Sequence, residues 1–284
     1  MPSYRHISHA GNFADVVKHV VLCLLIEALQ RDAARICVID CHAGAGRYDL
    51  RSRGAMRKGE WHRGIARVVD TPTAPSCLAG YRGAVGALNE PGALRFYPGS
   101  PRIIRGLLRP GDRLIATEFS PHEYAQLEQE FTDDDQVWLH CGDGYQVLES
   151  CLPPAERHGL VLLDPTFQCE DELACVTTAL ERAVRRWPTG TFAVWYPLDS
   201  RPSRVSFHNA IAASGMQRVL VGELSTEPET EQRPLTGCGM LVVNAPPAIA
   251  PTMEQALHWL YQRLKVDPRS GVDTRWLVDE SPAR

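Results

Sequence analysis

Short, nearly uninterrupted apolar runs punctuate this chain, and they limit its possible folds more than any other feature. Seven runs read as strands, at residues 36–40, 113–119, 137–142, 160–164, 192–196, 219–224 and 240–244. Segments with helical spacing lie between most of them, at 13–29, 123–131, 144–152, 171–187 and 208–213. A strand that is apolar on successive residues is buried on both faces, which suits a parallel sheet with helices on either side. The expected architecture is therefore α/β: a Rossmann-like, doubly wound, mostly parallel sheet of seven strands.

One gap breaks this rhythm. The first two runs are about seventy residues apart, where an ordinary βαβ unit needs only a few tens. Residues 50–92 hold Gly, Arg and helical patterns but no strand signal, so they are expected to form a small helical insertion subdomain within a domain built from 1–49 and 93–284. The insertion and its entry carry seven basic residues from Arg47 to Arg67 against two acids, Asp49 and Glu60. Such a cluster is an ordinary solvated surface unless a nucleic-acid site lies beside it. In that case Arg47, Arg51, Arg53, Arg57 and Lys58, with Arg5 near the amino terminus, become candidate phosphate ligands.

The totals exclude several classes. With 284 residues, 44% of them hydrophobic, the chain can bury a sizeable core. A net charge of −4 rules out a uniformly basic coat but not a local basic patch. No apolar run reaches membrane-span length and the first residues lack a secretory h-region, so a cytoplasmic protein without a membrane partner is expected. Nine cysteines without a C-x-x-C pair sit in apolar stretches and read as buried thiols of a reducing compartment.

Open α/β sheets bind ligands beyond the carboxyl ends of their strands. After the first run comes Asp40-Cys41-His42-Ala43-Gly44-Ala45-Gly46, a G-x-G turn, with Asp49 where a dinucleotide fingerprint would place its third glycine. The second run ends at Glu118, suited to the hydroxyls of a ribose, and the third at Gly142-Asp143-Gly144, where an acid can take an adenine amine. Each acid is equally well read alone as a helix N-cap. Together, the carboxylates Asp40, Glu118, Asp143 and Asp164 favour a cationic cofactor, S-adenosylmethionine, over NAD.

The fourth run delivers Asp164-Pro165-Thr166-Phe167, similar to the Asp/Asn-Pro-Pro-Tyr/Phe motif of methyltransferases acting on exocyclic amines. The Asp164 carboxylate and the Pro165 carbonyl can accept the two N–H groups of an adenine amine, and Phe167 can stack on the extruded base. Asp-Pro ending a buried strand, with Phe167 in the core, is an equal reading of these four residues by themselves.

Further motifs break that tie. Tyr4-Arg5-His6, the stretch from His9-Ala10-Gly11-Asn12 to Lys18-His19, Asp40-x-His42-Ala43-Gly44-Ala45-Gly46-Arg47-Tyr48, Tyr97-Pro98-Gly99-Ser100-Pro101 and Trp195-Tyr196-Pro197 resemble the RlmJ family of bacterial 23S ribosomal RNA adenine-N6 methyltransferases. The likeness covers nearly the whole chain. It implies an S-adenosylmethionine-dependent enzyme that methylates one adenine of ribosomal RNA, protein-free or early in assembly, and acts as a monomer. It implies cofactor contacts at Lys18, His19, His42, Gly44, Ser100, Glu118, Asp143, Gly144 and Asp164, catalysis by Asp164 with Pro165 and Phe167, and an RNA contact at Tyr4. Lys18 and His19 also read as a plain polar helix face. The spacing of His6, His9 and His19 matches no common metal motif, so no metal is expected.

One departure from the family pattern is visible: Thr166 stands where the second proline is usual. The Pro165 carbonyl and the ring of Phe167 survive this change, so activity is expected to persist. Two other functions remain open: an amino-methyltransferase acting on DNA or a small molecule, and a non-catalytic RNA-binding protein whose site has decayed.

Overall fold

A computed structural model describes residues 5–167, 171–198, 201–228 and 235–279; Tyr4 lies outside the described residues. The backbone forms a sheet in the order β10-β8-β9-β7-β6-β1-β4-β5. Its strands are β1 (Ile36–Asp40), β4 (Arg113–Glu118), β5 (Val137–Cys141), β6 (His158–Leu163), β7 (Thr191–Pro197), β8 (Val219–Ser225), β9 (Gly237–Val243) and β10 (Val272–Val278). The five strands from β5 to β7 run parallel, and the remaining three complete the sheet by antiparallel pairing.

Each central strand is apolar on both faces because each face meets helices. Val38, Leu160, Leu162 and Val242 point to the side covered by α1 (Phe13–Asp32), α4 (Ser100–Leu107) and α9 (Ile249–Leu264). Ile39, Val161, Leu163 and Val243 point to α6 (Gly144–Cys151), α7 (Glu172–Arg186) and α8 (Arg201–Ala213). Helix α5 (Pro121–Glu130) links β4 to β5. The first helix is unusual in being buried almost all round. That requires cover on several sides, and α3 (Ala79–Gly86), α4, α9 and the sheet supply it.

The structure adds an eighth strand, β10, to the seven expected. Its sequence, VDTRWLV, has three consecutive polar residues, Asp273, Thr274 and Arg275, in a strand with no buried position, and so lacked the signature of a buried run. Helices α4 and α9 also escaped the periodicity reading. Residues 50–92 contain helical turns, α2 (Arg53–Lys58), α3 and three 3-10 segments at Glu60–Arg63, Ile65–Arg67 and Ser76–Leu78. A short antiparallel ribbon closes their base, β2 (Arg47–Asp49) pairing with β3 (Phe96–Pro98). The thiols are not uniformly buried as expected. Cys23, Cys37, Cys41 and Cys238 are buried, but Cys141 at the end of the edge strand β5 and Cys175 on α7 are exposed.

Among the described residues, no helix is long and apolar enough to cross a membrane. The insertion docks on the segment before α1, where the Ile65 N–H donates to the Gly11 carbonyl at 2.9 Å. A Cβ at Gly64 would stand 2.1 Å from that carbonyl oxygen and 2.5 Å from the carbonyl carbon of Asn12. Gly64→Ala is therefore expected to destabilise the protein by about 1–3 kcal/mol, read as a lowered melting temperature. An unchanged melt would mean that this docking is loose.

Candidate active site

The chain starts at the sheet centre, builds β4 and β5 on one side, then returns to place β6 and β7 on the other. The order thus reverses between β1 and β6, and the carboxyl ends of two neighbouring strands diverge into a crevice. A cleft of about 740 Å³ opens there. Lys18, His19, His42, Gly44, Ser100, Glu118, Asp164, Pro165 and Phe167 all line it, as does Arg5.

Helix α1 brings its polar residues inward. Lys18 and His19 are 4% and 1% exposed, so they are not an outer polar face. Lys18 Nζ lies 2.9 Å from Asp15 Oδ1 and 2.5 Å from Asp164 Oδ2. Burial opposes the ammonium charge, but these two carboxylates outweigh it and raise the lysine pKa well above the ordinary value. Asp15 is also desolvated. Its carboxylate accepts from His6 Nε2 at 3.0 Å and from the Gly11 N–H at 2.9 Å, and its pKa falls well below the usual range, with His6 and Lys18 the leading charges. His19 is held neutral chiefly by burial. Its Nδ1 meets the Tyr97 hydroxyl at 2.8 Å, while its Nε2 is buried and has no hydrogen-bond partner among the described residues.

The glycine turn after β1 and the acid after β4 interlock. Gly44 adopts φ +63°, which suits glycine, and its N–H donates to Glu118 Oε2 at 2.8 Å. Glu118 Oε1 accepts from the Ser120 N–H at 2.6 Å. Burial raises the Glu118 pKa against these bonds. Asp40, expected to face the ligand, is fully buried and accepts from the His42 N–H at 3.2 Å, so it braces the turn from below. Desolvation pushes its pKa up to about 6.

The Asp-Pro turn is held from beneath. The Asp164 N–H donates to His42 Nδ1 at 3.2 Å, and burial pushes the His42 pKa down to about 4, so its imidazole is neutral and free to accept at neutral pH. Pro165 is buried and Thr166 exposed. Phe167 sits at φ +51° with its ring edge-on to Trp195, centroids 5.6 Å apart.

Some predicted residues lie elsewhere. Asp143 Oδ1 accepts from the Tyr145 N–H at 2.9 Å and caps α6, while Gly144 allows close packing, since a Cβ there would stand 2.1 Å from the Cys41 carbonyl oxygen. Neither lines the cleft. Arg51, Arg53, Arg57 and Lys58 form an exposed face on the insertion beside it, joined to the rim where Lys58 Nζ lies 2.9 Å from His9 Nε2. Arg47 turns to Glu130, 2.8 Å away. Asp15, His6, Phe119 and Trp195 line the cleft without having been singled out as site residues. Phe119, 75% exposed directly after Glu118, carried a signal in its position at a strand end.

Four carboxylates of the lining (Asp15, Glu118, Glu123 and Asp164) stand against the cations Lys18 and Arg5, an excess of negative charge that fits a sulfonium cofactor. The sheet order, interlocked glycine turn and acid, and Asp-Pro-x-Phe at the switch point define a Rossmann-like S-adenosylmethionine-dependent methyltransferase. Residues 33–278 match the family described as "Ribosomal RNA large subunit methyltransferase D, RlmJ". Two curated proteins named ribosomal RNA large subunit methyltransferase J are similar across their full length. That of Escherichia coli K12 is 39% identical over 99% of this chain, and that of Haemophilus influenzae 38% identical over 99%, each covered completely. A crystal structure of protein LPL1258 from Legionella pneumophila superposes with a TM-score of 0.86 at 29% identity, over 94% of this chain and 98% of that one. The chain belongs to the RlmJ family.

The neutral state of His42 has a measurable signature. A histidine whose folded pKa is depressed supports the fold above its unfolded pKa, and that support is lost as pH falls from about 6.5 through about 4. In His42→Asn, the side-chain oxygen replaces Nδ1 as acceptor without titrating. The wild type should therefore lose stability relative to His42→Asn over this window, followed by denaturant melts. Parallel curves would place the Asp164 N–H bond elsewhere.

Proposed function

We propose that this protein transfers a methyl group from S-adenosylmethionine to the N6 amine of an adenine in 23S ribosomal RNA. It acts on RNA that is protein-free or early in assembly, as a cytoplasmic monomer. The observation that carries this reading is the shared cleft of Asp164, Pro165 and Phe167 with Lys18, His42 and Glu118. Bound S-adenosylmethionine supplies the electrophilic methyl group. Glu118 and Gly44 would hold its ribose end, and His19 Nε2, which has no hydrogen-bond partner among the described residues, would serve as a donor or acceptor for its polar groups. Lys18, His42 and Ser100 border the same space.

Asp164 performs the central step by orientation. Lys18 engages Oδ2, leaving Oδ1 to accept one N6–H while the Pro165 carbonyl accepts the other. These two bonds draw the nitrogen lone pair out of conjugation and along the line of transfer. The proton lost after transfer passes to Asp164 or water. Phe167, braced by Trp195, offers a ring for the extruded base.

The insertion, residues 50–92, acts in this reading as an RNA-binding subdomain. Arg51, Arg53, Arg57 and Lys58 contact phosphates in this reading, and Arg5, Arg47 and Tyr4 are further RNA contacts. Reversing the first four charges should weaken RNA binding and lower the slope of log affinity against log salt by up to about one per lost phosphate contact. Unchanged affinity would make them an ordinary solvated face.

Asp164→Ala should lower transfer to a 23S ribosomal RNA transcript by about a hundredfold or more, while cofactor affinity measured by calorimetry stays within a few-fold. Lost cofactor binding would assign Asp164 a cofactor role instead. Mass spectrometry of ribosomal RNA from cells with and without the protein should show one N6-methyladenosine missing in its absence. Identical spectra would overturn the reading.

A further inference from the structure

The insertion reaches the catalytic carboxylate through an unbroken run of polar contacts. At its outer end Lys58 Nζ lies 2.9 Å from His9 Nε2. An ammonium has only donors, so that ring nitrogen accepts and His9 Nδ1 carries the proton. Nδ1 donates to Glu60 Oε2 at 2.9 Å, and Asn12 Nδ2 donates to the same oxygen at 3.0 Å. One oxygen of an insertion residue thus holds two side chains of the segment that enters α1.

Asn12 then passes the constraint inward. Its Oδ1 accepts from the Asp15 N–H at 2.9 Å and caps the helix. An asparagine amide offers oxygen on one side and NH2 on the other, so anchoring the NH2 on Glu60 decides that oxygen faces the helix. The first turn fixed in this way carries Asp15, which holds Lys18 Nζ at 2.9 Å, and Lys18 in turn reaches Asp164 at 2.5 Å. The backbone bond from Ile65 to Gly11 fastens the same junction a second time.

We propose that Glu60, which lies outside the cleft, is a positioning residue for methyl transfer: it orients the Asn12 cap and so keeps Lys18 seated on the catalytic Asp164. This rests on the reading of Asp164 as the group that orients the target amine. The insertion accordingly serves two ends, presenting cations to RNA and setting the register of α1 in the active site.

Steady-state methylation of a 23S ribosomal RNA transcript tests the proposal. Glu60→Ala is expected to lower kcat at least tenfold while KM for RNA stays within threefold. Glu60→Gln should return kcat to within threefold of wild type, because its amide oxygen in the place of Oε2 accepts from both His9 and Asn12. If Glu60→Ala melts below the assay temperature, Glu60→Asp, charged but a methylene too short to hold both donors, should show the same kcat loss. A kcat within twofold of wild type in the Ala or Asp variant overturns the proposal. So does a Gln variant as slow as Ala, which would assign the role to charge, or a loss confined to KM, which would make Glu60 an RNA contact. Any of these with an active wild type overturns this inference alone, whereas a wild type that transfers no methyl group overturns the reading beneath it.

Discussion

The ion pair between Lys18 and Asp164 joins the start of the chain to the centre of the sheet, across 146 residues of sequence. Its lysine is nearly inaccessible, so each charge depends on the other: an unpaired buried ammonium or carboxylate costs several kcal/mol. The arrangement therefore demands that α1 enter at one angle and that β6 end at one height. The apolar cover around α1 and the parallel register of β1 and β6 meet that demand. Asp15 completes it by supplying a second carboxylate, so the ammonium is compensated from two sides while Lys18 engages only one oxygen of Asp164.

What was legible in the sequence was local. A strand with helices on both faces must be apolar at consecutive positions, so the six inner strands stood out, and with the edge run that became β5 their order of appearance implied a doubly wound sheet. Strand ends were legible for the same reason: where an apolar run stops at Glu118 or Asp164, the polar side chain is delivered to the sheet's edge. The departure from a dinucleotide fingerprint at Asp49 was informative too, because that residue pairs in a ribbon with Phe96 instead of opening a helix.

The rest depended on partners distant in sequence. Strand β10 is half-exposed and begins with three polar residues after Val272, so it carries little hydrophobic signal until β8 is seen beside it. Asp143 and Glu118 look alike as acids after strands. One caps a helix beside its own strand while the other reaches across to Gly44 on the first turn, and nothing local separates the two. Glu60 is a lone acid among arginines, and its attachment to His9 and Asn12 depends on how the insertion folds back. Buried polar networks are the least legible part of any sequence, because residue type states the capacity to bond but not the partner.

The turn at Asp164–Phe167 shows how such a network tolerates an unusual residue. A non-glycine side chain at φ +51° is held only when its surroundings over-determine it. Here the Asp164 N–H is fixed by His42, Pro165 is buried with its own φ locked by the ring, and Phe167 is wedged edge-on to Trp195. Three of the four residues are therefore placed by contacts that do not involve Thr166. Thr166 alone is exposed, so a proline there would restrict a backbone whose course its neighbours already set. The rigidity that the family motif builds into consecutive prolines is supplied in this chain by the imidazole below the turn and the indole beside it.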